Sequence, residues 1–205
     1  MTIASDTPHA DQRSAEILKS ARRAFAEKGF DGASMQDIAR KAGMSVGNFY
    51  RYFPSKSAIV EALIAMDMKE MEQDFGAILV HSNPIQALRE TIERRISEPD
   101  CRKDGQIWAE ITAAAMRKPE IGDAASRMES AIITHLTTIF ARASALSLTE
   151  AQARWTGHAQ LLIMLVKSCA MQPPDRPVTA DLKRLLLRSI DLTLKDIATP
   201  AAAKG

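Results

Sequence analysis

The residues with the clearest capacity for chemistry lie between Ser34 and Lys56. Ser34, Ser45, Tyr50 and Tyr52 carry hydroxyls, Arg51 and Lys56 carry cations, and Asn48 carries an amide. Hydroxyls, cations and the free N–H groups of a helix start are the groups that hold phosphate oxygens. An Asn amide bonds an adenine edge through two hydrogen bonds at once, which makes Asn48 the base reader of the set. Gly43 permits a sharp turn, and Gly47, next to Val46, lets a helix backbone come close to a ligand. The run Gly43-Met44-Ser45-Val46-Gly47 also fits GxSxG, the expression of a nucleophile elbow. That chemistry needs a strand before the Ser and a helix after it. Here Asp37–Ala42 reads as helix, and Arg51 and Lys56 are poor partners for a catalytic triad.

Charge points the same way. The chain carries a formal net charge of only +2. Between Arg13 and Lys56, however, nine basic residues face four acidic ones, an excess of five. A local positive field of this kind is a footprint for a polyanion.

Other chemistry-bearing residues are scattered. His9, His81, His135 and His158 have no spacing that would share a metal, and no cofactor motif is present. Trp108, Met116, Met128, Trp155 and Met164 lie on apolar helical faces, and His135 is one helical step from Met128 and Ile132. Adaptable Met and flat Trp surfaces suit a pocket for a hydrophobic or aromatic molecule, and they suit plain core packing equally. Cys101 stands beside Arg102 and Lys103, which would lower its thiol pKa if it were exposed and make it a redox sensor. Cys101 and Cys169 have no CxxC partner, so a disulfide framework is excluded and a reducing cytoplasm is the expected compartment.

The elements that must position these groups are helical throughout. With 205 residues, 46% of them hydrophobic, the chain has enough apolar material for a core. Charges interrupt every apolar stretch before the roughly 18 residues a membrane span needs. Apolar spacing predicts helices over Asp11–Lys28 (ended by Gly29), Gln36–Ala42, Val46–Tyr50, from Pro54-Ser55 to Val80, and Pro84–Ile96. It continues them over Gln106–Arg117, Glu120–Ala143, Ser147–Cys169 and Thr179–Ile197. Ser34 with Asp37 and Ser147 with Glu150 read as capping boxes, and Asn83-Pro84 and Thr179 as N-terminal caps. Leu161–Val166 is apolar all round and therefore needs cover on every side, including from a second subunit. The expected architecture is all-α. A helix-turn-helix domain spans 11–57, a larger helical domain spans 58–198, and disordered tails occupy 1–10 and 199–205.

The N-terminal run resembles the DNA-binding domain of the tetracycline-repressor (TetR) family of transcriptional regulators. The likeness rests on Ala21, Phe25, Gly29, Phe30, Ser34, Ile38, Ala39, Ala42-Gly43-Met44-Ser45-Val46-Gly47-Asn48-Phe49-Tyr50-Arg51-Tyr52-Phe53-Pro54-Ser55-Lys56. Met44 departs from the family's usual Val, and Asn48-Phe49 from a commoner pair, so base preference is not borrowed from a relative. The resemblance implies a homodimeric repressor without catalytic activity, bound to a palindromic operator in double-stranded DNA and released by a small-molecule effector. It implies DNA contacts from Ser34, Ser45, Val46, Gly47, Asn48, Tyr50, Arg51, Tyr52 and Lys56, and dimerisation through 147–169 and 179–197. Trp108, Met116, Met128, His135 and Met164 are the candidate effector residues. The alternative is a helix-turn-helix regulator controlled by a protein partner instead of a small molecule.

Overall fold

A computed structural model describes residues 7–97, 99–173 and 178–198, with side chains described at 12–97, 105–173 and 178–198. Among these residues the chain forms nine helices and no strand. They are α1 (Thr7–Gly32), α2 (Met35–Lys41), α3 (Val46–Tyr52), α4 (Lys56–Val80), α5 (Pro84–Ser97), α6 (Pro99–Ala115), α7 (Pro119–Ser144), α8 (Leu148–Ala170) and α9 (Ala180–Ala198). Among the described residues no single helix is long and apolar enough to cross a membrane.

Most helix starts follow the expected caps. Ser34 and Asp37 exchange the reciprocal bonds of a capping box at α2, as do Ser147 and Glu150 at α8. Asn83 Oδ1 accepts the Gln86 N–H at 3.1 Å before Pro84 opens α5, and Thr179 Oγ1 accepts the Leu182 N–H at 3.2 Å before α9. Three starts or ends differ from the periodicity. The first helix begins at Thr7, inside the expected tail; the rest of that tail, 1–6, and the expected tail at 199–205 lie outside the described residues. It also resumes for one more turn after Gly29, whose φ of 73° and ψ of 166° break it locally. The third difference is α6, which opens at Pro99 instead of Gln106. Gly105 is the reason: a Cβ there would sit 1.7 Å from the Ala170 carbonyl oxygen. A glycine that looks like a helix breaker is the residue that lets two helices meet backbone to backbone.

The described residues fall into two compact units. One lies within Met1–Met68 and Ile107–Ala125, the other within Lys69–Gln106 and Ser126–Gly205. The helices α4, α6 and α7 thus each contribute residues to both. In the first unit α1 packs on α2 and α2 on α3 around Ile17, Phe25, Phe30, Ile38, Phe49, Ile59 and Leu63, all buried. In the second, α5 packs on α8 and α9 over a core containing Leu88, Phe140, Trp155, Leu162, Ile190 and Leu194. The expected stretch 11–57 falls inside the first unit, which also takes the end of α6 and the start of α7.

Candidate nucleic-acid interface

The turn between α2 and α3 is built by its glycine. Gly43 has φ of 65°, a left-handed conformation that costs other residues about 1–2 kcal/mol. Gly43 N–H bonds the Arg40 carbonyl at 3.1 Å and Met44 N–H bonds the Ala39 carbonyl at 3.0 Å, the paired closure of a Schellman motif. Ser45 then caps α3, its hydroxyl oxygen accepting the Asn48 N–H at 3.4 Å. Helix, glycine turn and capped helix is a helix-turn-helix, and it leaves no strand ahead of Ser45 for a nucleophile elbow.

On α3, Phe49 alone is buried; it packs on Phe53 with ring centroids 6.3 Å apart. Val46, Gly47, Asn48, Tyr50, Arg51 and Tyr52 are exposed. Among the described residues the side chains of Asn48, Tyr50, Arg51 and Tyr52 make no hydrogen bond or ion pair. Tyr50 is 46% exposed, a large aromatic surface that the fold does not use. The helix therefore presents one anchored residue to the core and a continuous polar and aromatic face outward.

Two expected contact residues are engaged within the protein itself. Ser34 Oγ donates to Asp37 Oδ2 at 2.7 Å and accepts the Asp37 N–H at 3.1 Å. Lys56 Nζ donates to the carbonyls of Phe30 at 2.7 Å and Asp31 at 3.1 Å and lies 4.9 Å from the centre of the Phe30 ring. An ammonium has three donors. Two of those on Lys56 serve the end of α1, so its first task is to fasten that turn.

Asp37 is the electrostatic centre of α2. Lys28 Nζ and Arg40 NH2 each reach its Oδ1 at 2.7 Å. The Lys28 ammonium, followed by the Ser34 hydroxyl and amide, holds its carboxyl far below the usual carboxylate range. A depressed folded-state pKa gives stability that is complete above the unfolded value, about 3.9, and is lost as pH falls below it. Asp37→Asn is accordingly expected to unfold at lower urea than the wild type at pH 6, with the gap narrowing as the pH is lowered towards 3. A gap of constant size across that range would refute the assignment.

The expected effector residues are not brought together within either unit. Trp108 and Met116 belong to the first unit, and Met128, His135 and Met164 to the second. Met116 is 86% and Met164 65% exposed, so neither lines an enclosed cavity in the single chain. His135 stacks on Phe75 with centroids 4.8 Å apart and planes 14° apart, which is a packing role. An open groove of about 430 Å³ runs along α9 between Lys183, Leu187 and Arg188, and none of the five borders it. The residue with an unmet requirement is Trp155. It is 4% exposed, and its indole Nε1 is buried with no hydrogen-bond partner among the described residues. Its Trp type on an apolar helix face was the only signal for this in the sequence. The redox reading of Cys101 falls on a side chain outside the described residues.

Residues 17–63 match the family described as bacterial regulatory proteins, tetR family. The HTH-type transcriptional regulator EthR of Mycolicibacterium smegmatis is 36% identical over 105 residues, covering 45% of this chain and 48% of EthR. The chain thus spans about half the length of that curated relative. Among solved structures, Salmonella enterica GusR superimposes with a TM-score of 0.72 at 25% identity, covering 94% of this chain and 98% of GusR. AibR, solved with isovaleryl coenzyme A and operator DNA, superimposes with a TM-score of 0.62 at 19% identity, covering 88% of this chain and 97% of AibR. Residues 17–63 thus carry a helix-turn-helix that matches the tetR family of bacterial regulatory proteins, and the chain shares its helical fold with GusR and AibR.

Proposed function

We propose that the protein is a homodimeric, sequence-specific DNA-binding regulator, a repressor that a small hydrophobic or aromatic effector releases from its operator. The observation that carries this reading is α3, with Phe49 anchored and every other side chain exposed. Val46, Gly47 and Asn48 face base edges in the major groove, while Tyr50, Arg51 and Tyr52 reach phosphates on either side. Ser45 adds a hydroxyl at the helix start. Excess cationic charge in this region supplies sequence-independent affinity, which weakens as salt rises.

The test is fluorescence anisotropy across a salt series on DNA selected from a random library. Tight, saturable binding by two subunits per palindrome is expected, and no preference over random DNA at any salt would count against the reading. Asn48→Ala is expected to weaken binding to the selected site by about 1–3 kcal/mol while leaving random DNA nearly unaffected. Equal losses on both would remove Asn48 from base reading.

Gly47 gives a second, sharper test. A Cβ at this position would meet nothing within 4 Å, so the fold itself has no need of glycine there. Glycine inside a helix costs roughly 0.5–1 kcal/mol relative to alanine. Gly47→Ala is therefore expected to raise the melting temperature by about 1–4 °C and at the same time weaken operator binding. A stabilised variant with unchanged DNA affinity would show that no ligand backbone approaches Gly47.

Dimerisation is supported by a face that the single chain leaves uncovered. Leu182, Leu185 and Leu192 lie exposed along α9, and Leu161 and Met164 along α8. The apolar run Leu161–Val166 therefore has cover on some sides only, which a second copy supplies. For the effector, the unpartnered Trp155 N–H suits a molecule with an apolar body and one hydrogen-bond acceptor. The exposure of Met116, which lies off that dimer face, favours the second reading, a regulator answering to a protein partner. An effector screen by Trp fluorescence, compared with Trp155→Phe, separates the two.

A further inference from the structure

The break at Gly29 leaves a backbone group without its helical partner. In an unbroken helix the Phe30 N–H would bond the carbonyl four residues back. Here it bonds Oε2 of Glu110 at 2.8 Å, a carboxylate eighty residues away on α6. The Phe30 and Asp31 carbonyls are taken by Lys56, the first residue of α4. Arg117 pairs with the Asp31 carboxylate at 2.8 Å, and Lys118 lies 5.7 Å from the centre of the Phe30 ring. Residue 30 is thus held at its N–H by Glu110, at its carbonyl by Lys56, and at its ring by both Lys56 and Lys118.

The location gives this cluster its meaning. The turn 29–33 leads directly into the Ser34 cap of α2, and Lys56 directly follows the stretch that ends α3. Entry to and exit from the helix-turn-helix are fastened at one point, and Glu110 closes that point from outside it. We infer that Glu110 is a positioning residue for DNA binding: it sets the placement of α2 and α3 through the Phe30 turn without itself touching DNA. This rests on the DNA-binding reading above. Nothing in the sequence marks Glu110, because the group it serves is a backbone N–H far away in the chain.

Charge and position predict opposite signs. Removing a carboxylate from the DNA-binding unit, by its field alone, would strengthen binding to a polyanion. Loss of the Phe30 bond instead leaves a part-buried N–H unsatisfied and the turn free to move. In the full-length protein, Glu110→Ala is expected to weaken binding to library-selected DNA about tenfold at a temperature where it remains fully folded. Glu110→Gln, which loses the charge and keeps an acceptor, is expected to stay within about twofold of wild type. Glu110→Asp keeps the charge but withdraws it by one methylene, and is expected to behave as Glu110→Ala; it also serves if the alanine variant does not fold. Hydrogen exchange of the Phe30 amide, measured without DNA, is expected to quicken in the alanine and aspartate variants only. Tighter binding by both uncharged variants, or unchanged binding by all three, would overturn the positioning role. If the wild type binds no DNA, the regulator reading fails on its own, and unchanged Phe30 exchange across the variants would still overturn the clamp.

Discussion

Leu185→Glu combined with Leu192→Glu is expected to turn the protein into monomers and to remove tight operator binding with the dimer. Both side chains are more than half exposed in the single chain, at 55% and 56%. Surface replacements of this kind usually change the stability of a chain by no more than about 0.5 kcal/mol, so helical content should persist. Between two copies the same positions would bury four carboxylates without partners, at several kcal/mol each. A dimer dissociation constant raised by more than about a thousandfold is the expected scale. Sedimentation at micromolar concentration reads the mass directly. In the proposed dimer each subunit would read one half-site, so a monomer would keep only half the contacts. A double variant that remains dimeric would place the interface away from the Leu185 and Leu192 face of α9.

The second large effect is expected from Gly29→Ala. The backbone there, φ 73° and ψ 166°, lies in a region open essentially to glycine alone. Forcing alanine into it costs about 1–3 kcal/mol, or a fall in melting temperature of roughly 2–12 °C for a chain of this size. The new Cβ would also stand 3.1 Å from Glu110 Oε2, so the carboxylate that accepts the Phe30 N–H would have to give by a few tenths of an ångström. Gly43 provides the control. It too has positive φ, 65°, but a Cβ there meets nothing within 4 Å. Calorimetry should therefore rank Gly29→Ala as the more damaging change, and the reverse order would contradict the stricter glycine requirement at residue 29.

Local signals in the sequence were sufficient for most of the fold. Caps at Ser34, Ser45, Asn83, Ser147 and Thr179 act within three residues of themselves, so each could be read without knowing what packs where. The exposed face of α3 was legible for the same reason: a seven-residue helix with Phe49 on one side leaves the remaining positions to solvent. What escaped depends on distant partners. Gly105 reads as a break unless the Ala170 carbonyl is known to pass beside it. Lys56 reads as a phosphate ligand unless the Phe30 and Asp31 carbonyls are known to face it. The scattered Trp and Met residues gave the weakest guide, since apolar spacing on a helix does not say whether a face meets core, cavity or solvent. Met116 and Met164 meet solvent, and Trp155 meets core.

The inclusion of Ile107–Ala125 in the same compact unit as α1–α3 bears on how operator specificity could be transplanted. A chimera that borrows residues 1–57 from one relative and the remainder from another would bring a foreign α1 turn to the host's own Glu110, Arg117 and Lys118. Helices α2 and α3 exchanged in this way would keep their letters and lose their fastening. Graft boundaries that move the 107–125 stretch along with residues 1–68 should yield working hybrids, where a single cut after Ser57 should yield proteins that fold and bind poorly. Recombination between genes of this kind faces the same geometry, with two separated segments that must travel together.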